Sequence, residues 1–176
     1  MTDEELVNNF SDTLDTWAQK LNRYTPGQLL VKPAENSWSI GQVYMHIISA
    51  TEYFMLQVKT CASNNDNCGE DSSASAKRMF LNNDFPDAIL EGPPGNAFTP
   101  QPASKEDVLT RLAALEEDIN NAGAIMLSNV FNGKTKHPGL HYFTAREWFQ
   151  FAEMHVRHHE RQIRRIEQFL KEKSVA

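Results

Sequence analysis

The sequence has only two cysteines, Cys61 and Cys68, and the ASNNDN between them gives neither a metal-binding nor a redox spacing. That argues against a disulfide scaffold, and both are read as incidental thiols. No apolar run approaches the ~18 residues needed to cross a bilayer. The N-terminus, MTDEELVNNF, is acidic and amphipathic and lacks the basic start and apolar stretch of a secretory signal, so a cytoplasmic protein with no membrane partner is expected. Basic residues are the minority, 17 against 23 acidic, and a net charge of -6 would repel a phosphate backbone. Nucleic acid is not an expected partner.

What is present suits one domain over residues 1–176, with 40% apolar residues and ten Phe to fill a core. Four stretches carry a helical apolar stripe behind a start signal. The first runs from Asp3 to about Tyr24 behind Thr2 and Glu5, with Leu6, Phe10, Leu14, Trp17 and Leu21 on one face. Thr25-Pro26-Gly27 stops it, and QLLVKPAENSW reads as an extended connection. The second begins at Ser39, with Gln42 completing a capping box, and runs to about Thr60. The third starts at Ser104 with Asp107 and continues to about Phe131, with Gly123 as a local weakness. The fourth covers Thr144 to Lys171, with Glu147 in its box.

Between the second and third helices lie roughly 40 residues, long for a compact domain. CASNNDNCGEDSSASA reads as a mobile loop, KRMFLNNDFPDAIL as a helical turn or two, and GPPGNAFTPQPA, with four prolines, as irregular. NGKTKHPGLHYF reads as a turn before the last helix. The expectation is an all-α four-helix bundle with a long crossover connection between helices two and three.

Polar residues interrupt two of the apolar stripes. His155 and His159 stand at i and i+4 on the fourth helix, a spacing that lets both rings reach one cation. His46 lies on the core stripe of the second, between Val43 and Ala50, and a buried imidazole needs a bond or a ligand. In a bundle the three can meet, and three neutral imidazoles leave zinc or nickel with open positions. A bonded histidine cluster in the core is the competing reading. Gln162, three residues after His159, could orient a ring, and Ser49 and Tyr53 could line a cavity. Arg157, Arg161 and Arg164 share a face with Glu153 and Glu160 at pairing distance, the pattern of a solvated surface; nothing in the sequence selects one arginine for a ligand.

Trp38-Ser39, Val43, His46 and Ile47, together with His137-Pro138, Leu140, Thr144, Glu147-Trp148, Phe151, His155, His158-His159 and Gln162-Ile163, resemble the DinB-like (DinB/YfiT) metal-binding four-helix bundles over nearly the whole chain. The resemblance implies that His46, His155 and His159 are metal ligands and that the ion is zinc or nickel. It also implies a metal-dependent transferase or hydrolase, in some members acting with a low-molecular-weight thiol on a small-molecule substrate. The alternative is a non-catalytic, stress-associated metal-binding or interaction module. A homodimer is open to either. Where many members carry glycine, His141 stands, and the reading favoured for it is a surface turn rather than a fourth ligand. His137 and His158 are left with both roles.

Overall fold

The computed structural model describes residues 1–86 and 98–173. Residues 87–97, which take in the end of KRMFLNNDFPDAIL, expected to carry a helical turn or two, and the start of the stretch expected to be irregular, lie outside the described residues, as do residues 174–176. The elements are α1 (Asp3–Leu21), α2 (Pro26–Leu30), α3 (Ile40–Cys61), α4 (Ala74–Asn82), α5 (Lys105–Leu127), β1 (Lys134–His137), β2 (His141–Thr144) and α6 (Ala145–Glu172). Four long helices dominate, and the described residues are all-α apart from one small hairpin. None of the described helices is long and apolar enough to cross a membrane.

Local chemistry places the long helices where their start signals stand. Thr2, Ser39 and Thr144 each accept from the backbone N–H three residues on, and Glu5, Gln42 and Glu147 reach back to the cap N–H. The box expected at α5 is only half made. Ser104 accepts from the Asp107 N–H at 3.1 Å, while the Asp107 carboxylate accepts instead from Arg111 Nε at 3.1 Å, one turn on.

Contacts along the helices fix their directions. Asp3 meets Arg146, Thr13 meets Glu153 and Tyr24 meets Glu167, so α1 and α6 run parallel. Ser11 meets Asn120, and Lys105 donates to the carbonyl of Asn22, so α5 opposes α1. Lys59 pairs with Asp118 while Gly41 lies against Pro102, so α3 runs parallel to α5. Two sequential helices with the same direction require a connection that returns the length of the bundle, which is why the α3–α5 segment is long. The core they enclose includes Phe10, Trp17, Tyr44, Ile47, Val108, Ile119, Trp148, Phe149 and Ile163. Each such side chain contributes about 1.5–3 kcal/mol on full burial.

Five local expectations are corrected. The stretch after Tyr24 is not wholly extended: Thr25 and Gln28 make a capping box with Pro26 at the first turn, giving the short α2. The segment 61–76 is fastened rather than free. Lys134 N–H donates to Asp66 O at 2.8 Å, Asn132 N–H to Asn65 Oδ1 at 2.8 Å, and Ser73 N–H to Leu140 O at 2.9 Å. The turn before α6 is an antiparallel hairpin, β1 on β2, with Gly139 and His141 at positive φ. α5 ends at Leu127 rather than Phe131. Gly123 is a close-approach point, since a Cβ there would stand 3.0 Å from a Val7 methyl of α1.

Candidate metal centre

α3 and α6 pack antiparallel, with the end of α3 beside the start of α6: Cys61 Sγ donates to Phe143 O at 3.4 Å, just before the α6 cap. That register sets the second turn of α3 opposite the middle of α6, where His155 and His159 stand. His46 Nε2 lies 3.3 Å from His155 Nε2, and His159 Nε2 lies 3.2 Å from the same atom. The ligand atoms of the three rings all lie within 4.8 Å of one another. Zinc–imidazole bonds of about 2.0–2.1 Å in a tetrahedral shell place ligand nitrogens about 3.3–3.4 Å apart. The two short contacts match that edge, so the trio fits a small divalent ion and could hold one.

The protonation chemistry points the same way. His159 Nδ1 lies 2.9 Å from Gln162 Oε1. An amide oxygen only accepts, so the proton sits on Nδ1 and Nε2 presents its lone pair to the other two rings. Burial lowers His46 to about 4 and His159, with His46 beside it, to about 3. Burial and the neighbouring rings push His155 well below the usual histidine range. All three are therefore neutral near pH 7, the form that binds a metal. His155 Nδ1 is buried with no hydrogen-bond partner. An unmet ring nitrogen costs about 1–3 kcal/mol, which a bond at Nε2 to a cation would offset.

Aromatic rings surround the trio. Trp38 lies 4.8 Å from the His46 ring and stacks on His159 at 6.3 Å and 24°. Phe54 meets the His155 ring edge-on at 5.4 Å, and Phe85 stands 6.3 Å from it. His155 and His159 nevertheless keep partial exposure. Two open grooves of about 320 and 440 Å³ run along α1 and α6, and neither is lined by these histidines.

The remaining histidines stand elsewhere. His141 is exposed on the hairpin, where its φ of 69° puts it in a left-handed turn. His137 stacks on Phe143 at 5.0 Å and packs on Trp148 and Phe151. His158 packs on Phe85 at 5.3 Å. Of the two residues expected to line a cavity, Ser49 donates to the His46 carbonyl and Tyr53 is exposed against Trp148, and neither contributes a polar contact to the three converging ring nitrogens. Sequence reasoning gave Trp38 and Phe85 no role here; the Trp-Ser dipeptide at the α3 cap was the available signal for the first.

The arginine face is also more than solvated surface. Arg157 donates to Glu153, which is only 3% exposed, and to Asn83 O, while Arg161 pairs with Asp84 at 2.8 Å. Together they fasten the residues after α4, and so set Phe85 beside His155.

Comparison with known proteins agrees with this arrangement. No curated protein and no solved structure matches the chain. The family model described as the DinB superfamily matches residues 9–163, a span that includes the bundle and all three converging histidines. The chain belongs to the DinB superfamily.

Proposed function

We propose that this protein binds one divalent ion, zinc or nickel, through His46, His155 and His159, and uses it as a metal-dependent transferase or hydrolase acting on a small molecule. The observation that carries this reading is the convergence of three Nε2 atoms, at 3.2 and 3.3 Å from His155, with one of the rings already oriented by Gln162. An ion bound there supplies Lewis-acid chemistry, lowering the pKa of water or of a low-molecular-weight thiol so that either becomes a competent nucleophile. The protein supplies the rest. Three neutral imidazoles leave a coordination position open, as catalytic rather than structural sites do. Gln162 fixes the His159 tautomer, and Trp38, Phe54 and Phe85 keep bulk water from the rings on their faces, which strengthens each polar contact made inside. The partial exposure of His155 and His159 favours a site that small molecules can reach over one sealed for stability.

The test is elemental mass spectrometry of protein purified without an affinity tag, beside His46→Ala and His159→Ala. About one zinc or nickel per chain, lost in both variants, is the expected result. A folded wild-type protein that carries no metal and is not stabilised by added zinc, nickel or other divalent ions would overturn the reading.

A further inference from the structure

The aromatic rings around the three histidines are not all held in the same way. Phe54 belongs to α3 and Phe151 to α6, and Trp38 directly precedes the α3 cap, so these rings move only with the long helices. Phe85 belongs to no helix. It lies two residues past the α4 cap, where Asn83, at a φ of 51°, turns the chain out of the helix in the left-handed region that asparagine tolerates. Its ring is 6% exposed and packs 5.0 Å from Phe151, 5.3 Å from His158 and 6.3 Å from His155.

Among the described residues, no backbone–backbone hydrogen bond ties residues 83–85 to α3 or α6. The Asp84 N–H donates back to Met79 O within α4, and the Phe85 N–H to the Asp84 carboxylate. The turn is fastened instead by side chains of α6: Gln150 Nε2 donates to Asn83 Oδ1 at 3.0 Å, Arg157 Nη2 to Asn83 O at 2.8 Å and Arg161 Nη2 to Asp84 Oδ2 at 2.8 Å. α4 itself buries only Ala76 fully, so the piece that carries Phe85 rests lightly on the bundle. The Arg161 and Asp84 side chains are 31% and 45% exposed, and such a pair opens at little cost. Most of what keeps the turn down is the Phe85 ring, whose burial favours the closed form by a factor of about ten or more.

Resting on the metal reading above, we propose that Phe85 is a lid on the three-histidine site, hinged at Asn83 and latched by Arg161 on Asp84, and that a divalent ion enters and leaves when residues 83–85 swing away. The long helices stay in place during that motion, so the histidines keep their register. A lid closes over the empty and the loaded site alike. Removing it therefore speeds uptake and release by the same factor and leaves affinity unchanged, whereas losing a residue that merely props His155 would speed release alone.

The test uses Co²⁺ alone as the probe. Stopped-flow visible absorbance follows its uptake by the metal-free protein and its release from the loaded protein into excess EDTA. Phe85→Ala is expected to speed both rates about tenfold or more. Arg161→Gln is expected to speed both about two- to fivefold, the reach of a half-exposed charge pair. Phe85→Leu, which keeps an apolar cover, and Arg164→Gln, whose partner Glu160 lies off the turn, should stay close to wild type. The proposal is overturned if neither rate moves in Phe85→Ala, if release speeds while uptake does not, or if Arg164→Gln matches Arg161→Gln. Arg161→Gln, a change at a half-exposed position, decides the matter by the same two rates where Phe85→Ala does not fold. A wild type that takes up no cobalt, or uptake undiminished in His159→Ala, overturns the metal reading itself and the lid with it.

Discussion

Gln162→Leu isolates the contribution of a residue that touches no ion. The side chain keeps its size and its place on a half-buried turn of α6, and loses the oxygen that accepts from His159 Nδ1 at 2.9 Å. Without that acceptor His159 is free to rotate or to carry its proton on Nε2, and either change withdraws a ligand from the site. Partners of metal-binding histidines are typically worth 10- to 100-fold in affinity. At a fixed metal concentration well above Kd, a 100-fold loss removes about 2.7 kcal/mol of ligand-linked stability. For a chain of this size that corresponds to a fall of about 5–11 °C in the Tm of the loaded protein. The metal-free protein has only a half-buried bond to lose, and its Tm should move by far less. The assay is paired thermal melts with and without metal, together with competition against a chelator of known affinity. Equal chelator competition by variant and wild type would refute the argument, because the bond to His159 would then be incidental. An equal Tm loss with and without metal would refute it as well, since the residue would then act on the fold and not on the site.

Three further outcomes follow from the same contacts. The metal-free protein should lose stability as pH falls below about 6.5, because the unfolded histidines take up protons there while His46, held down to about 4, does not; integrated over that interval the loss is about 3 kcal/mol for His46 alone, and urea denaturation with a flat midpoint from pH 7.5 to 5 would contradict it. Gly41→Ala should destabilise by about 1–3 kcal/mol, since its Cβ would fall 2.7 Å from the Pro102 ring and 2.8 Å from the Leu29 carbonyl; a Tm within a degree of wild type would contradict that crowding. Glu153→Gln breaks a pair whose carboxylate is 3% exposed and should cost about 2–4 kcal/mol in chemical denaturation, whereas Glu160→Gln, on a rim pair with Arg164, should cost under about 1 kcal/mol.

The four long helices were legible because each announces itself locally. A capping residue, its partner three positions on and a 3.6-residue stripe need no knowledge of the rest of the chain, and at Ser39 and Thr144 they located the helices that bear the histidines. The His155–His159 pair was legible for the same reason. Its meeting with His46 is not a local fact; it depends on two helices of the bundle facing one another at matched height, which the bundle reading allows and only the folded structure fixes, while the family resemblance assigns the three as ligands. What stayed hidden was held by long-range polar contacts. Nothing in CASNNDNCGEDSSASA reveals that Asp66 O and Asn65 Oδ1 accept from Lys134 and Asn132, 68 and 67 residues on, so a small, polar segment reads as free when it is pinned. The arginine face is hidden for the same reason, because Asp84 and Asn83, which fasten Arg161 and Arg157, are distant in sequence. α2 is a different case. Thr25 and Gln28 are a local signal of the kind that marks the other helices, but Pro26-Gly27 between them reads as a stop.

The topology explains why the site sits between α3 and α6. An i, i+4 pair on one helix offers only two nitrogens, and a third must come from an opposing face at a matched height. α3 supplies it because the hairpin and the cap of α6 fix the axial register: Trp148 Nε1 donates to Thr135 Oγ1 at 2.7 Å, Ser72 Oγ donates to the capping Glu147 at 2.9 Å, and Cys61 closes onto Phe143. A one-turn slip of α6 against α3 would move His46 about 5.4 Å from its partners, farther than any two ligand nitrogens of one ion stand apart. The small β-hairpin therefore bears on the candidate metal centre although none of its residues lies in the three-histidine cluster. Loosening it by Thr135→Val, which keeps the volume and removes the acceptor of the Trp148 N–H, should lower metal affinity together with stability. Gln162→Leu should lower affinity alone, and that contrast separates register from ligand orientation.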